Sequence, residues 1–364
     1  QEYETGLKGE LMTADTRAWR TRIDSPEASS NFRNMLDIDA SYEEAQIQPF
    51  GPRRLLVEGK SLVTLARANS REEAIAIAVE LAGGWGRAFD RIQGANVLLK
   101  VNLNSADAFP ASTHPEAVRY VIKQLKKGGV GRVVIGDCSG PYGHPTRETM
   151  RALGLLDIAE EEGAEVLCFE DEEWVRARPS QETSWTDGII CPKAIFQTEY
   201  IVSLPAMKTH RTAVFTLSLK NVVGLLHPKS RWFMHSQEDV LQKMVAEANL
   251  IYSPNLIILD GMKCFVSGGP IVGEEAEPRC VIVGDDRIAV DAVGVAVLKA
   301  VGSERAMEKP TWEYEQIKRA GELQLGSTSP NGVLLKTADQ TGRTDAAEFE
   351  HAVREHLGAS STDR

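Results

Sequence analysis

Residues 96–102 read Asn96-Val97-Leu98-Leu99-Lys100-Val101-Asn102, and this stretch, with the 66 residues after it, decides the fold. The apolar positions here are nearly continuous rather than strictly alternating. That pattern marks a strand buried on both faces, as in a helix-covered parallel sheet. From His114 to about Gly128 the apolar spacing predicts a helix, stopped by Gly128-Gly129. Arg132-Val-Val-Ile-Gly136 predicts a second strand, Thr146 to about Glu162 a second helix, and Glu165-Val-Leu-Cys168 a third strand. A βαβαβ alternation of this kind implies parallel strands joined by crossover helices.

The rhythm extends both ways from this segment. Upstream, Leu62–Ala66 predicts a short strand, and Ser70 followed by Glu73 predicts a capping box that opens a helix through about Leu81. Downstream, Tyr200-Ile-Val-Ser-Leu204 predicts a buried strand broken by Pro205, which brings no N–H to a ladder. A helix is expected from Gln237 to about Leu250, and another from Ile288 to about Val301. Between them stand the strands Asn255–Leu259, ending at Asp260-Gly261, and Arg279–Val283, ending at Gly284-Asp285-Asp286. A last short strand is expected near Gly332–Leu335. The expected fold class is α/β: a mostly parallel central sheet with helices on both faces, plus N- and C-terminal extensions. Residues 1–60 form the N-terminal extension, 61–305 the core domain, and 306–364 a C-terminal helical extension.

Composition narrows the function. The 364 residues are 42% hydrophobic and carry a net charge of −11, which argues against a broad nucleic-acid surface. No apolar run reaches the ~18 residues of a membrane span. The chain opens on Gln1, so any export signal would precede it, and cytoplasmic and exported locations both stay open. The five cysteines are widely spaced with no C-x-x-C, so no iron–sulfur cluster is expected, and buried thiols are the simplest reading.

Polar groups gather where the apolar strands end, which is where open α/β sheets hold ligands. Alternation puts Lys100, Asn102 and Asn104 on one face of the first strand and its continuation. Asp137-Cys138-Ser139-Gly140-Pro141-Tyr142-Gly143 supplies small residues that let backbone N–H groups approach an anion. It matches neither G-x-G-x-x-G nor a P-loop. Residues 199–236 form a basic, histidine-bearing island in an acidic chain, holding three of its seven histidines with Lys208, Arg211, Lys220, Asn221 and Arg231. Such an island points to a local anion site. Asp260-Gly261 with Gly268-Gly269-Pro270, and Asp285 with Asp291, complete the set.

The order of these motifs resembles an uncharacterised family, domain of unknown function 362. The resemblance rests on Val97–Asn102, Thr113–Glu116, Gly136-Asp137, Lys208–His210, Ser218–Gly224, Asp260-Gly261, Gly268–Pro270 and Gly284–Ala292, and it covers about residues 60–300. The resemblance implies no settled reaction. Some relatives carry ferredoxin-like cysteine clusters, which this chain lacks.

The leading expectation is an enzyme, of unknown reaction class, or a strict binder for a small carboxylate or phosphate. His210, Lys208 and Lys220 are the candidate catalytic groups. Lys100, Asn102, Asn104, Ser139, Asn221, Gly268 and Gly269 are the candidate ligand-binding residues. A divalent metal is a candidate cofactor, with Asp137, Asp260 and His235 as candidate ligands. Two other readings stand beside it. One is a redox accessory protein without its own cluster, which would need flavin or a cluster donated by a partner. The other is a non-catalytic interaction protein whose basic island docks an acidic partner.

Overall fold

The structure is a computed structural model that describes residues 41–358, apart from residue 90 and residues 141–144. The first 40 residues of the expected N-terminal extension, the Pro141–Gly143 part of the small-residue turn, and the last six residues lie outside the described residues.

The strands of three or more residues in the central sheet, in chain order, are β1 (Lys60–Arg67), β2 (Asn96–Lys100), β3 (Arg132–Asp137), β4 (Glu165–Cys168), β5 (Tyr200–Ser203), β6 (Ala206–His210), β7 (Val214–Thr216), β8 (Leu256–Phe265), β9 (Cys280–Gly284) and β10 (Val333–Asp339). Eight of them lie side by side in the order β10-β1-β9-β8-β5-β2-β3-β4. Only β9 runs against the other seven, being antiparallel to both β8 and β1, while every other pairing in this row is parallel. The sheet is therefore mostly parallel, and the fold is α/β.

Side-chain alternation explains why such strands are apolar throughout. In β8, Leu256 and Ile258 enter one core cluster while Ile257 and Leu259 enter the opposite one. In β2, Val97 and Leu99 face one way and Leu98 the other. Successive residues of a strand point to opposite faces, so both faces must be covered. On one side lie α1 (Arg71–Leu81), α2 (Pro115–Lys127), α3 (Thr146–Ala152) and α4 (Leu155–Glu161). On the other lie α5 (Pro228–Ser236), α6 (Leu241–Ala248), α7 (Arg287–Ala300), α8 (Glu315–Glu322) and α9 (Ala346–Leu357).

Local signals set the helix ends. Ser70 Oγ accepts a hydrogen bond from the Glu73 N–H at 3.2 Å and opens α1. His114 caps α2 in the same way, its Nδ1 accepting from the Glu116 N–H at 3.1 Å. Asp286 caps α7, its Oδ1 accepting from the N–H groups of Ile288 and Ala289 at 3.0 and 3.1 Å.

Three expectations need correction. The helix expected from Thr146 to Glu162 is two helices, because Gly154 adopts φ +74° and turns the chain between α3 and α4. The strand expected to stop at Asp260-Gly261 runs on to Phe265. Pro205 ends β5 but not extended structure, since β6 comes directly after it and pairs in parallel with the second half of β8. This last arrangement matters for the site. It lifts Lys208 and His210 past the carboxyl ends of β2, β3 and β5. The chain beyond residue 305 also feeds the sheet, because β10 pairs with β1 along its length and α9 packs on α7.

Candidate functional site

At the carboxyl ends of β2 and β3 lies a small cavity of about 40 Å³, space for a few waters or one small ligand head. Its lining includes Asn102, Asn104, Asp137, Cys138, Gly140, Lys208, Thr216, Lys220, Gly224, Arg231 and Pro270.

Beneath it is a buried ion pair. Lys100 Nζ stands 3.0 Å from Asp137 Oδ1, with both side chains sealed from solvent. The carboxylate is further satisfied by the backbone N–H of Cys138 at 2.7 Å and of Leu103 at 2.8 Å. Asn221 Oδ1 accepts from Lys100 Nζ at 3.4 Å, and its amide donates to Ser203 Oγ at 2.9 Å. The backbone must pass this pair closely. A Cβ on Gly224 would lie 2.0 Å from Asp137 Oδ1, so only glycine fits.

The other cations differ in how they are held. Lys208 Nζ donates to Asn102 Oδ1 at 2.9 Å, to the Pro110 carbonyl at 3.2 Å and to the Ala111 carbonyl, which occupies its three N–H groups. Burial and the nearby Lys220 cation push its pKa down to about 7, against the pull of Asp137. Arg231 is spent on carbonyls: Leu226, Ser139 and Cys138, each at 2.7 Å. Lys220 is different. It is buried, lines the cavity, and has no hydrogen-bond or ion-pair partner among the described residues. Burial and the Arg231 cation lower its pKa to about 8. Among the described residues the Thr216 hydroxyl, also in the lining, is buried without a partner, as is the neighbouring Ser139 hydroxyl.

Lys220 is placed by a distant carboxylate. Asp291 on α7 accepts from the backbone N–H groups of Ser218 at 2.7 Å and Leu219 at 3.0 Å. These open the 3₁₀ turn Leu219–Leu225 that carries Lys220, Asn221 and Gly224. Burial raises the Asp291 pKa to about 7, against those hydrogen bonds. Asp291 is thus a cap on this turn.

The sequence candidates therefore divide. Asn102, Asn104, Asp137, Lys208 and Lys220 meet at the cavity, with Lys100 and Asn221 directly below and Ser139 beside it. His210 stands close by, but its Nδ1 accepts from the backbone N–H groups of Thr212 at 3.2 Å and Ala213 at 3.1 Å and so caps a turn. Burial and the surrounding cations hold its pKa well below the usual histidine range, so the ring is neutral. Gly268 and Gly269, both at positive φ, shape the turn that brings Pro270 to the cavity, and Gly269 packs against the Thr209 carbonyl.

The three candidate metal ligands do not come together. Asp260 is bound by Arg71 at 2.5 Å, His235 is exposed with Nδ1 donating to the Arg231 carbonyl at 2.7 Å, and Asp137 is held by Lys100. Among the described residues no three His, Cys, Asp or Glu side chains form a group fit for a metal ion. The five cysteines are buried and free, and burial raises the Cys138 and Cys191 thiols well above their usual range. Sequence reasoning placed Arg231 only in the basic island and Gly224 only in the Ser218–Gly224 motif, and it missed Thr216 as part of the site. Gly224 closes the Ser218–Gly224 motif, and that position was the available signal.

A family profile described as domain of unknown function DUF362 matches residues 97–296, more than half of the chain. The chain belongs to this family. The DUF362 segment contains every candidate site residue named above. A stretch of 248 residues of this DUF362 protein is 25% identical to a thylakoid-associated protein of Synechocystis, covering 65% of this chain and 74% of that one. Among solved structures, the lactate racemase apoprotein of Thermoanaerobacterium thermosaccharolyticum is similar at 11% identity and a TM-score of 0.36, over 82% of this chain and 87% of that one. No helix among the described residues of this DUF362 protein is long and apolar enough to cross a membrane.

Proposed function

We propose that this protein binds, and acts on, a small carboxylate or phosphate in the cavity at the ends of β2 and β3. The observation that carries the reading is Lys220: a buried side chain that lines the cavity, its amine without a partner among the described residues. A buried ammonium without an acceptor is costly, and an oxyanion would relieve that cost. Lys208 and Arg231 add positive charge around the same volume, while Lys100 and Asp137 cancel one another. Asn102, Asn104 and the unpartnered Thr216 hydroxyl are the neutral groups available to orient the ligand. Lys208, held by three oxygen acceptors, is the fixed cation of the site.

The test is thermal. Sulfate, phosphate and oxalate should raise Tm over chloride at constant ionic strength, since a ligand that binds only the folded state stabilises it by mass action. The gain should vanish in Lys220→Met, which keeps most of the buried volume. Equal Tm values in all four salts would end the reading.

A further inference from the structure

Three basic side chains line the cavity and a fourth, Lys100, lies beneath it; three of the four have their N–H groups engaged by the protein. Lys100 is paired with Asp137, Lys208 meets three oxygens, and Arg231 meets carbonyls on three sides. An amine surrounded by three acceptors is best satisfied as an ammonium, and it has no lone pair to offer. Lys220 has no acceptor among the described residues, so nothing in the protein holds a third proton on its nitrogen.

We propose that Lys220 is an imine-forming nucleophile, and that the ligand is a small carboxylate bearing an aldehyde or ketone carbonyl. The proposal rests on the anion-binding reading above and deepens it. Such a ligand satisfies two features of the cavity at once. Its carboxylate answers the positive charge of Lys208 and Arg231, and its carbonyl carbon meets Lys220, the one amine of the cavity lining without a partner among the described residues. The cavity, at about 40 Å³, favours a molecule of few heavy atoms. The unpartnered Thr216 hydroxyl provides a donor for the carbonyl oxygen.

The chemistry balances without an oxidant or reductant. The Lys220 Nζ lone pair attacks the carbonyl carbon, and a C–N bond forms while the C=O π pair moves to oxygen, which takes up a proton. Loss of a proton from nitrogen and of water from carbon then leaves C=N, so amine and carbonyl give imine and water. Burial and the neighbouring cation support this assignment. Together they lower the Lys220 pKa to about 8, which favours the free amine more than in a solvated lysine.

The full chain should be incubated with glyoxylate and sodium cyanoborohydride at mildly alkaline pH and mapped by peptide mass spectrometry. Carboxymethyl-lysine is expected at Lys220 about tenfold faster than at the exposed Lys318 and Lys336. Added oxalate, which has the charges but no aldehyde or ketone, should suppress labelling at Lys220 alone. Lys220→Arg, which keeps the charge, should retain an oxalate-dependent rise in Tm. If that variant fails to fold, the oxalate competition in the unmodified protein decides the question. If Lys220 stays unlabelled while oxalate still raises Tm, the imine proposal falls and the anion reading stands. If neither effect is seen, both fall. Preferential labelling of Lys208, or labelling of Lys220 that oxalate does not suppress, would also overturn the proposal.

Discussion

Lys100 and Asp137 meet at 3.0 Å between adjacent parallel strands, at the point where β2 and β3 give way to loops. Neither side chain reaches solvent, so each depends on the other for its charge. Burial lowers the Lys100 pKa and Asp137 opposes that shift. The pair is therefore the neutral floor of the cavity, and the charge available to a ligand comes from the residues above it.

Breaking this pair from one side should be severe. Lys100→Met or Asp137→Leu leaves an uncompensated buried charge and should cost about 3–5 kcal/mol of stability in urea titrations. The double variant should lose clearly less than the sum of the two. Additive losses would mean that the ions do not depend on one another.

Gly224→Ala should destabilise the fold by about 1–3 kcal/mol, as overpacking does. The added Cβ would fall 2.0 Å from Asp137 Oδ1 and 2.5 Å from Lys100 Nζ. Neither atom is free to retreat, because the carboxylate also holds the Cys138 and Leu103 N–H groups. An alanine variant as stable as the parent would show that the turn is looser than described.

His210→Asn should keep most of the stability and all of the anion-dependent rise in Tm. The histidine caps a turn through Nδ1, and an asparagine oxygen serves the same backbone donors. Loss of the anion response in a folded variant would restore His210 to a direct role with the ligand.

Stability should rise with pH across about 7 to 10 as far as Lys208 and Lys220 govern it. Their folded-state pKa values, about 7 and about 8, lie below that of an unfolded lysine. In that window the unfolded chain binds more protons, so unfolding free energy increases with pH. Sulfate binding should act in the opposite sense, because it favours the protonated amines. Its effect on Tm should be largest below about pH 8 and fade above. Melting curves from about pH 6 to 9.5, with sulfate against chloride, read both trends. A sulfate effect that grows with pH would contradict the assignment.

The sheet was legible because parallel strands are apolar on both faces: Val97–Leu99, Val133–Ile135 and Leu256–Leu259 carry that signal alone. The break at Gly154 and the run of β8 past Asp260 were not. The first depends on one left-handed residue, and the second on pairing with β6 from a distant part of the chain. The cavity was legible in part. Lys100, Asn102, Asp137, Lys208 and Lys220 all stand at or beyond strand ends, which is a local property. Their satisfaction is not local. Only the fold reveals that Lys208 meets the carbonyls of Pro110 and Ala111, that Arg71 takes Asp260, and that Lys220 is left without a partner among the described residues.

The most direct test is to locate the anion. A crystal grown with selenate, a tetrahedral dianion with anomalous signal, should show an anomalous peak in the cavity within hydrogen-bond reach of Lys220 Nζ and near the Thr216 hydroxyl. A cavity without selenate, in which Lys220 Nζ is paired with a protein oxygen, would contradict the account.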